Sequence, residues 1–409
     1  MKIRVLHIVG GSPQNGAYQG AYILHKALLN SKIDSKLLND TPFIEKNKNS
    51  EDSLIYFNNT KLKKYSSKLL IYLEKIIKSL YLPIPRSTYT LGLFGYDITK
   101  FDEYKKSDII HIHWLSEGFV DFRTLLKSKK PIVWTMRDMW PFTGGSHYTM
   151  DFKNYEKGLI STFIKKLKKK SFKNNIRFVA ISDWLKNQAE KSIVLQNNKV
   201  IRIYNNINLN DFKIIEKKLA RSNLNIKTKK HVILFGAQNP QSERKGWAIF
   251  FETLKKLDKS KYFVLIFGSF WSHKMLDEIG IEYKSLGFIH EKTKLNMMYS
   301  SADFFVASSL QEAFGKTWAE ALACETPIVC FKNTSVSEFV EHKSNGFVCN
   351  GFEPEKLKEG IEWLSTEKKY EKLKNNCKNQ KILNLDANII AQKYIEVYND
   401  AINSKKPNL

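Results

Sequence analysis

Short apolar segments rich in β-branched residues alternate along this chain with stretches of helical spacing, and this rhythm limits the fold more than any other feature. The segments are runs of mostly apolar residues rather than alternations of apolar and polar ones, which is typical of strands buried on both faces. Parallel sheets covered by helices contain such strands, so the sequence predicts an α/β fold. The predicted strands are Ile3–Val9, Ile109–Trp114, Pro131–Met136, Phe178–Ser182, Val200–Tyr204, Val232–Gly236, Phe263–Gly268, Asp303–Ala307 and Pro327–Phe331.

This β-α-β rhythm occurs twice, on either side of a polar, lysine-rich stretch that has no strand pattern. A chain of 409 residues is also too long for a single core. We therefore expect two Rossmann-like, doubly wound parallel-sheet domains that face a central cleft. The expected boundaries are 1–208 and 231–385 for the domains, 209–230 for a linker, and 386–409 for a helix that could cross back to the N-terminal domain. Ligands of such sheets bind at the carboxyl ends of the strands.

The charge and the cysteines narrow the range of partners and compartments. Lys and Arg number 66 against 41 Asp and Glu, and the net charge of +25 suits nucleic acid, an anionic membrane or a phosphorylated substrate. The cysteines form no C-x-x-C pair, which favours buried free thiols in a reducing cytoplasm. The N-terminus has the pattern of a first strand rather than a signal peptide, and no apolar run is long enough to span a membrane. We therefore expect a cytoplasmic protein.

The sharpest motif is Glu312-Ala-Phe-Gly-Lys-Thr-Trp-Ala-Glu320, which follows the predicted strand Asp303–Ala307. A helix that begins near Lys316 would turn its first backbone N–H groups towards an anion or a hydroxyl. Glu320, about one turn into that helix, would face the same crevice and could accept hydrogen bonds from ribose hydroxyls. The alternative is two solvated glutamates beside an ordinary helix start. The backbone groups concerned belong to Phe314, Gly315 and Lys316.

This motif resembles the Glu-x7-Glu element of the retaining glycosyltransferases of family 4, which are two-domain GT-B enzymes that use nucleotide-sugars. The first half is similar to one bacterial branch of that family. The similarity covers roughly residues 1–365 and is weakest over 40–90. The segments that carry it are Asp138-Met-Trp-Pro-Phe-Thr-Gly-Gly-Ser-His-Tyr148, Asp108–Trp114 and Asn205–Asn208.

The resemblance implies transfer of a sugar from a UDP- or GDP-sugar to a glycan or lipid-linked acceptor in surface polysaccharide biosynthesis, with retention of anomeric configuration. It implies that the N-terminal domain binds the acceptor and the C-terminal domain binds the donor. Glu312 would contact the hydroxyls of the donor sugar and Glu320 the ribose. Gly236, Phe314, Gly315 and Lys316 would complete the donor site.

The leaving diphosphate needs a counter-charge, and Arg244-Lys245-Gly246 follows the strand that ends at Gly236 and opens a helix. In many relatives an arginine follows the glycine at the end of this strand, but this chain has Ala237 there. We therefore assign binding of the diphosphate to Arg244 and Lys245. The alternative is an exposed basic pair on a basic protein. The chain contains no D-x-D sequence, so we expect a metal-independent reaction without a cofactor.

Further candidates lie in the first half. The resemblance places Gly16, in the loop after the first strand, near the diphosphate and the acceptor; a plain tight turn is the alternative. Arg137 stands where relatives often have a sugar-contacting histidine. Asp138 and His147 are sugar or acceptor candidates, with loop-bracing hydrogen bonds as the alternative. We expect His111 and His113 to face opposite sides of their strand, with one of them in the core, and we count His113 among the candidates for a sugar or acceptor contact.

Two basic amphipathic stretches, Lys61–Leu82 and Phe163–Phe172, suit the headgroups of anionic lipids, although they also suit a solvated surface. We therefore expect association with the inner face of the plasma membrane, with a solvated surface as the alternative. Nucleic-acid binding is an alternative hypothesis for the positive charge. The sequence contains no basic, aromatic-interleaved RNA motif and no recognition helix, so we expect no nucleic-acid partner. A GT-B-like nucleotide-sugar epimerase is the alternative within the fold.

Overall fold

The computed structural model describes residues 3–42, 52–57, 60–80, 89–152, 156–172, 176–270, 273–366 and 370–404. It divides the chain into two compact units. The first unit comprises Met1–Asn206 together with Ala387–Leu409, and the second comprises Ile207–Asp386. Tyr81 and Leu82 of the first basic stretch, and residues 405–409 of the predicted C-terminal helix, lie outside the described residues.

The strands of the described residues are β1 (Arg4–Val9), β2 (Asp34–Asn39), β3 (Leu54–Tyr56), β4 (Ile109–Trp114), β5 (Ile132–Met136), β6 (Ile176–Ala180), β7 (Val200–Arg202), β8 (His231–Gly236), β9 (Tyr262–Phe267), β10 (Glu282–Ser285), β11 (Phe304–Ala307), β12 (Ile328–Phe331) and β13 (Gly346–Cys349). The α-helices are α1 (Gly16–Asn30), α2 (Lys61–Ser79), α3 (Asp102–Lys106), α4 (Leu159–Ser171), α5 (Asp183–Glu190), α6 (Lys217–Asn223), α7 (Trp247–Lys256), α8 (His273–Ile279), α9 (Lys292–Ser301), α10 (Lys316–Ala323), α11 (Pro354–Thr366), α12 (Tyr370–Cys377), α13 (Gln380–Leu383) and α14 (Ala387–Asn403).

In its described residues, each unit contains one parallel sheet. The first sheet has the order β3-β2-β1-β4-β5-β6-β7 and the second the order β10-β9-β8-β11-β12-β13. In both units the strands that follow the first strand directly lie on one side of it, and the later strands lie on its other side. The order therefore reverses between β1 and β4 in one sheet and between β8 and β11 in the other, and open α/β sheets bind their ligands at such switch points. The predicted doubly wound α/β fold is confirmed.

The centres of both sheets consist of the predicted, mostly apolar segments. Leu234 and Leu265 on neighbouring strands of the second sheet are fully buried, and Phe250 and Leu254 of α7 pack in the same unit's core. The strands that the sequence did not predict are β2, β3, β10 and β13. Three of these, β3, β10 and β13, form sheet edges. No residue of β3 or β10 is buried, so these short strands lack the pattern of a strand covered on both faces.

The polar stretch at 209–230, predicted as a linker, belongs to the second unit and contains α6. Two cations of this helix hold one acidic residue at the start of β11: Lys217 Nζ lies 2.7 Å and Arg221 Nη2 2.8 Å from the Asp303 carboxylate. Because Asp303 Oδ2 also accepts a hydrogen bond from the Val232 N–H at 2.7 Å, the stretch is fastened to the sheet.

The C-terminal helix α14 packs on the first unit, although the second unit precedes it in the chain. The Tyr398 hydroxyl lies 2.7 Å from His111 Nδ1, and the Tyr394 hydroxyl lies 2.7 Å from Thr135 Oγ1. Both tyrosines are buried, so the helix closes part of this unit's core. No helix in the part of the chain that the structure describes is long and apolar enough to cross a membrane.

Candidate active site

A cavity in the second unit lies at the carboxyl ends of β8 and β11, which is the switch point of that sheet. Of the residues predicted for the site, it is lined by Gly236, Lys245, Glu312 and Gly315. The sequence did not single out several other lining residues, although Ser308 and Ser309 follow a predicted strand directly and Thr317 lies in the first turn of the predicted helix. The remaining lining residues are Phe235, Ala237, Pro240, Phe305, Val306, Ala307, Trp318 and Val336.

The charged centre of this cavity is an ion pair between the half-buried Lys245 and the buried Glu312, in which the ammonium donates to the carboxylate Oε2. Arg244 Nη1 lies 3.8 Å from the same oxygen. Burial alone would raise the pKa of Glu312, but the charges of Lys245 and Arg244 outweigh it and hold that pKa below its ordinary value. Burial also lowers the pKa of Lys245 in spite of the carboxylate beside it. The structure therefore brings together three of the residues assigned to the donor.

The two segments that carry these charges are joined by main-chain contacts. Leu310 N donates to Arg244 O at 2.7 Å, and Ser308 Oγ donates to Lys245 O at 2.9 Å. Gly246 has a φ of +71°, and a Cβ on it would stand 2.0 Å from the Ser308 carbonyl oxygen. Only glycine fits both the left-handed backbone and the close approach. The sequence Arg-Lys-Gly therefore packs the pair directly against the end of β11.

The helix α10 begins at Lys316, as the sequence predicts. Gly315 precedes it with a φ of +78°, and its position beside the Glu312 side chain leaves 2.9 Å between an added Cβ and Glu312 Cγ. Phe314 is buried in an aromatic group with Trp318 and does not line the cavity, and Lys316 also lies outside the lining. The predicted helix start thus contributes Gly315 and the following turn to the cavity, rather than the side chains of Phe314 and Lys316.

Glu320 lies further along α10, outside the cavity lining. Its Oε2 accepts a hydrogen bond from the Tyr299 hydroxyl at 2.7 Å. Tyr299 of α9 is completely buried, and burial followed by the charge of Glu320 raises the pKa of its phenol well above the ordinary value. Glu320 is itself partly exposed, so one of its oxygens is held from inside the protein while the side chain still reaches the surface.

In the first unit, the expectation that His111 and His113 face opposite sides of β4 is wrong. Side chains two positions apart on a strand share a face, and the two ring centroids are 4.1 Å apart. His7 of β1 joins them, with its Nδ1 2.8 Å from His113 Nε2. Burial lowers the pKa of all three rings well below the ordinary value, so they are neutral.

Arg137 extends this network instead of standing free for a ligand. Its Nη2 donates to His113 Nδ1 at 3.1 Å and its Nη1 to Asn205 Oδ1 at 2.5 Å. Burial lowers the pKa of the guanidinium to about 10. His7, His111 and His113 bring ring nitrogens within 4.8 Å of one another, as in a metal site. However, the neighbouring guanidinium repels a cation, and both nitrogens of His111 already face the hydroxyls of Tyr398 and Thr135.

Asp138 and His147 bind each other, with Asp138 Oδ2 and His147 Nδ1 2.6 Å apart. The same oxygen accepts from Trp114 Nε1 at 2.9 Å, and Asp138 Oδ1 accepts from the Trp140 N–H at 2.9 Å. His147 Nε2 lies 3.1 Å from Thr90 Oγ1. These contacts hold the Trp-Pro-Phe-Thr-Gly-Gly segment in place, which corresponds to the loop-bracing alternative.

The loop after β1 lies at the switch point of the first sheet. Gly10 N donates to Trp114 O at 2.8 Å, and Gly16 forms the first residue of α1. A Cβ on Gly16 would meet no atom within 4 Å, so this chain's own packing does not require glycine there. The sequence missed Asp40 at the same edge, which accepts from the Gly11 N–H at 2.8 Å and from the Ser116 hydroxyl. Its position directly after β2 is the signal that marks it.

Comparison with known proteins agrees with this geometry. The family model "Glycosyltransferase Family 4" matches residues 54–211, and the model "Glycosyl transferases group 1" matches residues 216–380. An uncharacterized glycosyltransferase of Methanocaldococcus jannaschii is 26% identical over 325 residues, which are 76% of this chain and 78% of that protein. The N,N'-diacetylbacillosaminyl-diphospho-undecaprenol α-1,3-N-acetylgalactosaminyltransferase of Campylobacter jejuni is 29% identical over 268 residues, which are 61% of this chain and 67% of that protein.

Solved structures show the same fold across nearly the whole chain. Sucrose-phosphate synthase from Thermosynechococcus elongatus has a TM-score of 0.73 at 14% identity, with 99% of this chain and 100% of that one covered. HepE of Anabaena in complex with UDP-glucose has a TM-score of 0.67 at 16% identity, with 97% and 100% covered. This chain is therefore a glycosyltransferase of the GT-B fold, whose first half matches the family 4 model and whose second half matches the group 1 model.

Proposed function

We propose that this enzyme is a retaining, metal-independent glycosyltransferase that moves a sugar from a UDP- or GDP-sugar to a glycan or lipid-linked acceptor in surface polysaccharide biosynthesis. The observation that carries the proposal is the ion pair of Lys245 with the buried Glu312 at the carboxyl ends of β8 and β11. A carboxylate held in its charged form accepts hydrogen bonds from sugar hydroxyls, and the adjoining cation suits a diphosphate.

The chemistry needs a counter-charge when the bond between the anomeric carbon and the diphosphate breaks. Lys245 and Arg244 carry two positive charges on one short segment, and their burial strengthens their interaction with a developing phosphate charge. In the retaining scheme the acceptor oxygen attacks on the same face as the leaving group. A phosphate oxygen of the donor then takes the acceptor proton, so the scheme requires no separate base from the protein.

The acceptor is proposed from the relatives. The Campylobacter protein is named for transfer to a diphospho-undecaprenol-linked sugar, and HepE was solved with UDP-glucose. A lipid-linked acceptor and a UDP-sugar are thus the first choices for this chain. We also propose that it works in the cytoplasm, at the inner face of the plasma membrane, where basic residues gain about 1 kcal/mol each near an anionic surface.

A mass-spectrometric screen of UDP- and GDP-sugars, without and with lipid-linked or soluble glycans, tests the proposal. Transfer or slow donor hydrolysis is expected for wild type and strongly reduced for Lys245→Ala. Lys255→Ala is the matched control, because Lys255 forms an exposed ion pair with Glu252 on α7 in the same unit. An isomerised donor sugar formed without any acceptor would favour the epimerase instead, and inversion of the anomeric centre would overturn retention.

A further inference from the structure

Helix α2 of the first unit buries polar side chains and exposes apolar ones, which is the reverse of an ordinary surface helix. Its buried side chains are polar or charged, namely Ser67, Glu74 and Lys78. Large apolar side chains occupy the opposite, exposed face. These are Leu62, Tyr65, Leu69, Tyr72, Leu73, Ile76 and the C-terminal cap residue Leu80, which we call the α2 stripe.

The buried face is fastened to the unit by specific hydrogen bonds, so the helix is docked in this orientation. Glu74 Oε1 accepts from the Leu91 N–H at 2.6 Å. Lys78 Nζ donates to Tyr89 O at 2.8 Å and pairs with Glu117. Ile77 adds an apolar contact to the cluster around Tyr89. A rotation that hid the α2 stripe would break these bonds and expose the buried charges.

The α2 stripe is continuous. At about 100° per residue, its members fall within an arc of about 100° on the helix surface. It runs along the helix for about 27 Å. Isolated exposed apolar residues are ordinary on a soluble protein, but an apolar face of this extent marks an interaction surface.

The charge next to the α2 stripe indicates what covers it. Exposed lysines occupy one flank of the stripe, at positions 61, 64, 68 and 75. Helix α4 shares the cluster around Tyr89 through Ile164 and exposes Leu159 and Phe163 together with Lys166, Lys169 and Lys170. Protein–protein interfaces are depleted in lysine at their cores, whereas an apolar face bordered by lysines suits the boundary between acyl chains and anionic headgroups.

We propose that α2 lies in the plane of an anionic bilayer and inserts the α2 stripe below the headgroups, while the flanking lysines bind phosphates. This inference rests on the membrane association proposed above and specifies its element and mode. Apolar insertion is resistant to salt, whereas binding by lysines alone is screened within about 10 Å at 0.1 M salt. The two modes therefore differ in a measurable way.

The test is co-sedimentation of the full chain with vesicles of phosphatidylglycerol mixed with phosphatidylethanolamine. The triple variant Leu62→Ser, Leu69→Ser, Ile76→Ser should lose at least about tenfold in partition coefficient. The matched control is Leu126→Ser, Ile193→Ser, Leu219→Ser, whose wild-type side chains are 41–57% exposed on other elements, against 42–78% for the stripe residues. The control should bind as wild type does. Both variants should keep the melting temperature, since all six positions are exposed.

A depth measurement separates insertion from surface attraction. The native cysteines are all buried, so Leu69→Cys can be labelled selectively with an environment-sensitive dye. Brominated lipids should quench a dye at position 69 more strongly than one introduced by Lys64→Cys on the lysine flank. Equal quenching at both positions would overturn insertion.

The remaining outcomes are also decisive. Wild-type binding by the triple variant overturns the inference. If vesicle binding is lost in the triple variant Lys64→Gln, Lys68→Gln, Lys75→Gln but not in the apolar triple variant, the association is electrostatic and insertion is excluded. A wild-type dimer that the triple variant converts to a monomer, without vesicle binding by either, assigns the α2 stripe to a second copy of the chain. Donor hydrolysis measured without vesicles reports on the transferase separately, so failure of insertion and failure of the proposed reaction are distinguishable.

Discussion

The Tyr299 hydroxyl donates to Glu320 Oε2 at 2.7 Å, and so a completely buried residue of α9 fixes the orientation of a partly exposed carboxylate on α10. Glu320 is the residue that we propose for the ribose of the donor. Its position therefore depends on a group that no ligand touches.

Removal of this positioning contact should weaken nucleotide binding more than it slows the reaction. Tyr299→Phe keeps the packing but removes the hydrogen bond, and we expect KM for the donor to rise by about fivefold with little change in kcat. Donor titrations at saturating acceptor measure both constants. Glu320→Gln, which changes the acceptor itself, should show a larger effect; an unchanged KM in both variants would remove Glu320 from the donor site.

The Lys245–Glu312 pair should be essential both for transfer and for local stability. Glu312→Gln keeps the shape of the side chain but loses the charge, and we expect transfer to fall by about a hundredfold or more. Lys245→Ala leaves a buried carboxylate without its nearest cation, which should cost about 3 kcal/mol in the free energy of unfolding. Urea unfolding and product formation give the two values, with Lys255→Ala as control. Near wild-type turnover of Glu312→Gln would contradict the assignment.

Two glycines should respond differently to the same change. Gly246→Ala places a methyl group against the Ser308 carbonyl in a left-handed backbone, so it should lower stability by about 2 kcal/mol or more. Gly16→Ala meets open space and should leave the melting temperature unchanged or slightly raised. If a ligand approaches this loop, as the family resemblance implies, Gly16→Ala should lose activity although it stays folded. Full activity of Gly16→Ala would show that the loop is a plain turn that contacts no ligand.

Glu74 should make stability depend on pH. Burial raises its pKa to about 7, partly offset by the hydrogen bond from Leu91 N–H, and the charge of Glu117 adds to the rise while that of Lys78 opposes it. The folded protein therefore holds this proton more tightly than the unfolded chain. Its contribution to stability is greatest below about pH 4.5, declines as the pH rises to about 7, and is lost above that.

Glu74→Gln should flatten this part of the profile and should equal or exceed wild type in stability at pH 8. Chemical denaturation of both proteins between pH 5 and 8 provides the comparison, because the other titrating groups are common to both. Parallel profiles would show that the carboxyl group is already charged at pH 5.

Metal independence is expected to appear as full activity after treatment with EDTA. The cations of Arg244 and Lys245 would supply the charge that a divalent ion supplies elsewhere, so the double variant Arg244→Ala, Lys245→Ala should bind UDP or GDP more weakly. Isothermal titration of the nucleoside diphosphate measures this. An absolute requirement for added Mn²⁺ would overturn the proposal.

The sequence was most informative where burial on both faces leaves a strong pattern. The central strands and the start of α10 at Lys316 follow from such patterns, and so does the placement of Glu312 after β11. The edge strand β10 was missed because one side of it needs no apolar cover. The partners of Asp138 and His147 were not predictable either, since their contacts depend on Trp114 and Thr90, which are distant in sequence. The placement of His111 and His113 on one face was predictable, because residues two positions apart on a strand share a face; the prediction misapplied this period.

The return of α14 to the first unit affects the order in which the protein can fold during synthesis. Domains generally fold as they leave the ribosome, N-terminal domain first. Here the core of the first unit lacks Tyr394 and Tyr398 until the last helix has been made, whereas the residues of the second unit, Ile207–Asp386, precede that helix. The second unit can therefore reach its final packing while the first still waits for its closing helix. During that interval the apolar surface under α14 is exposed, and exposed apolar surface of this kind promotes aggregation of a nascent chain.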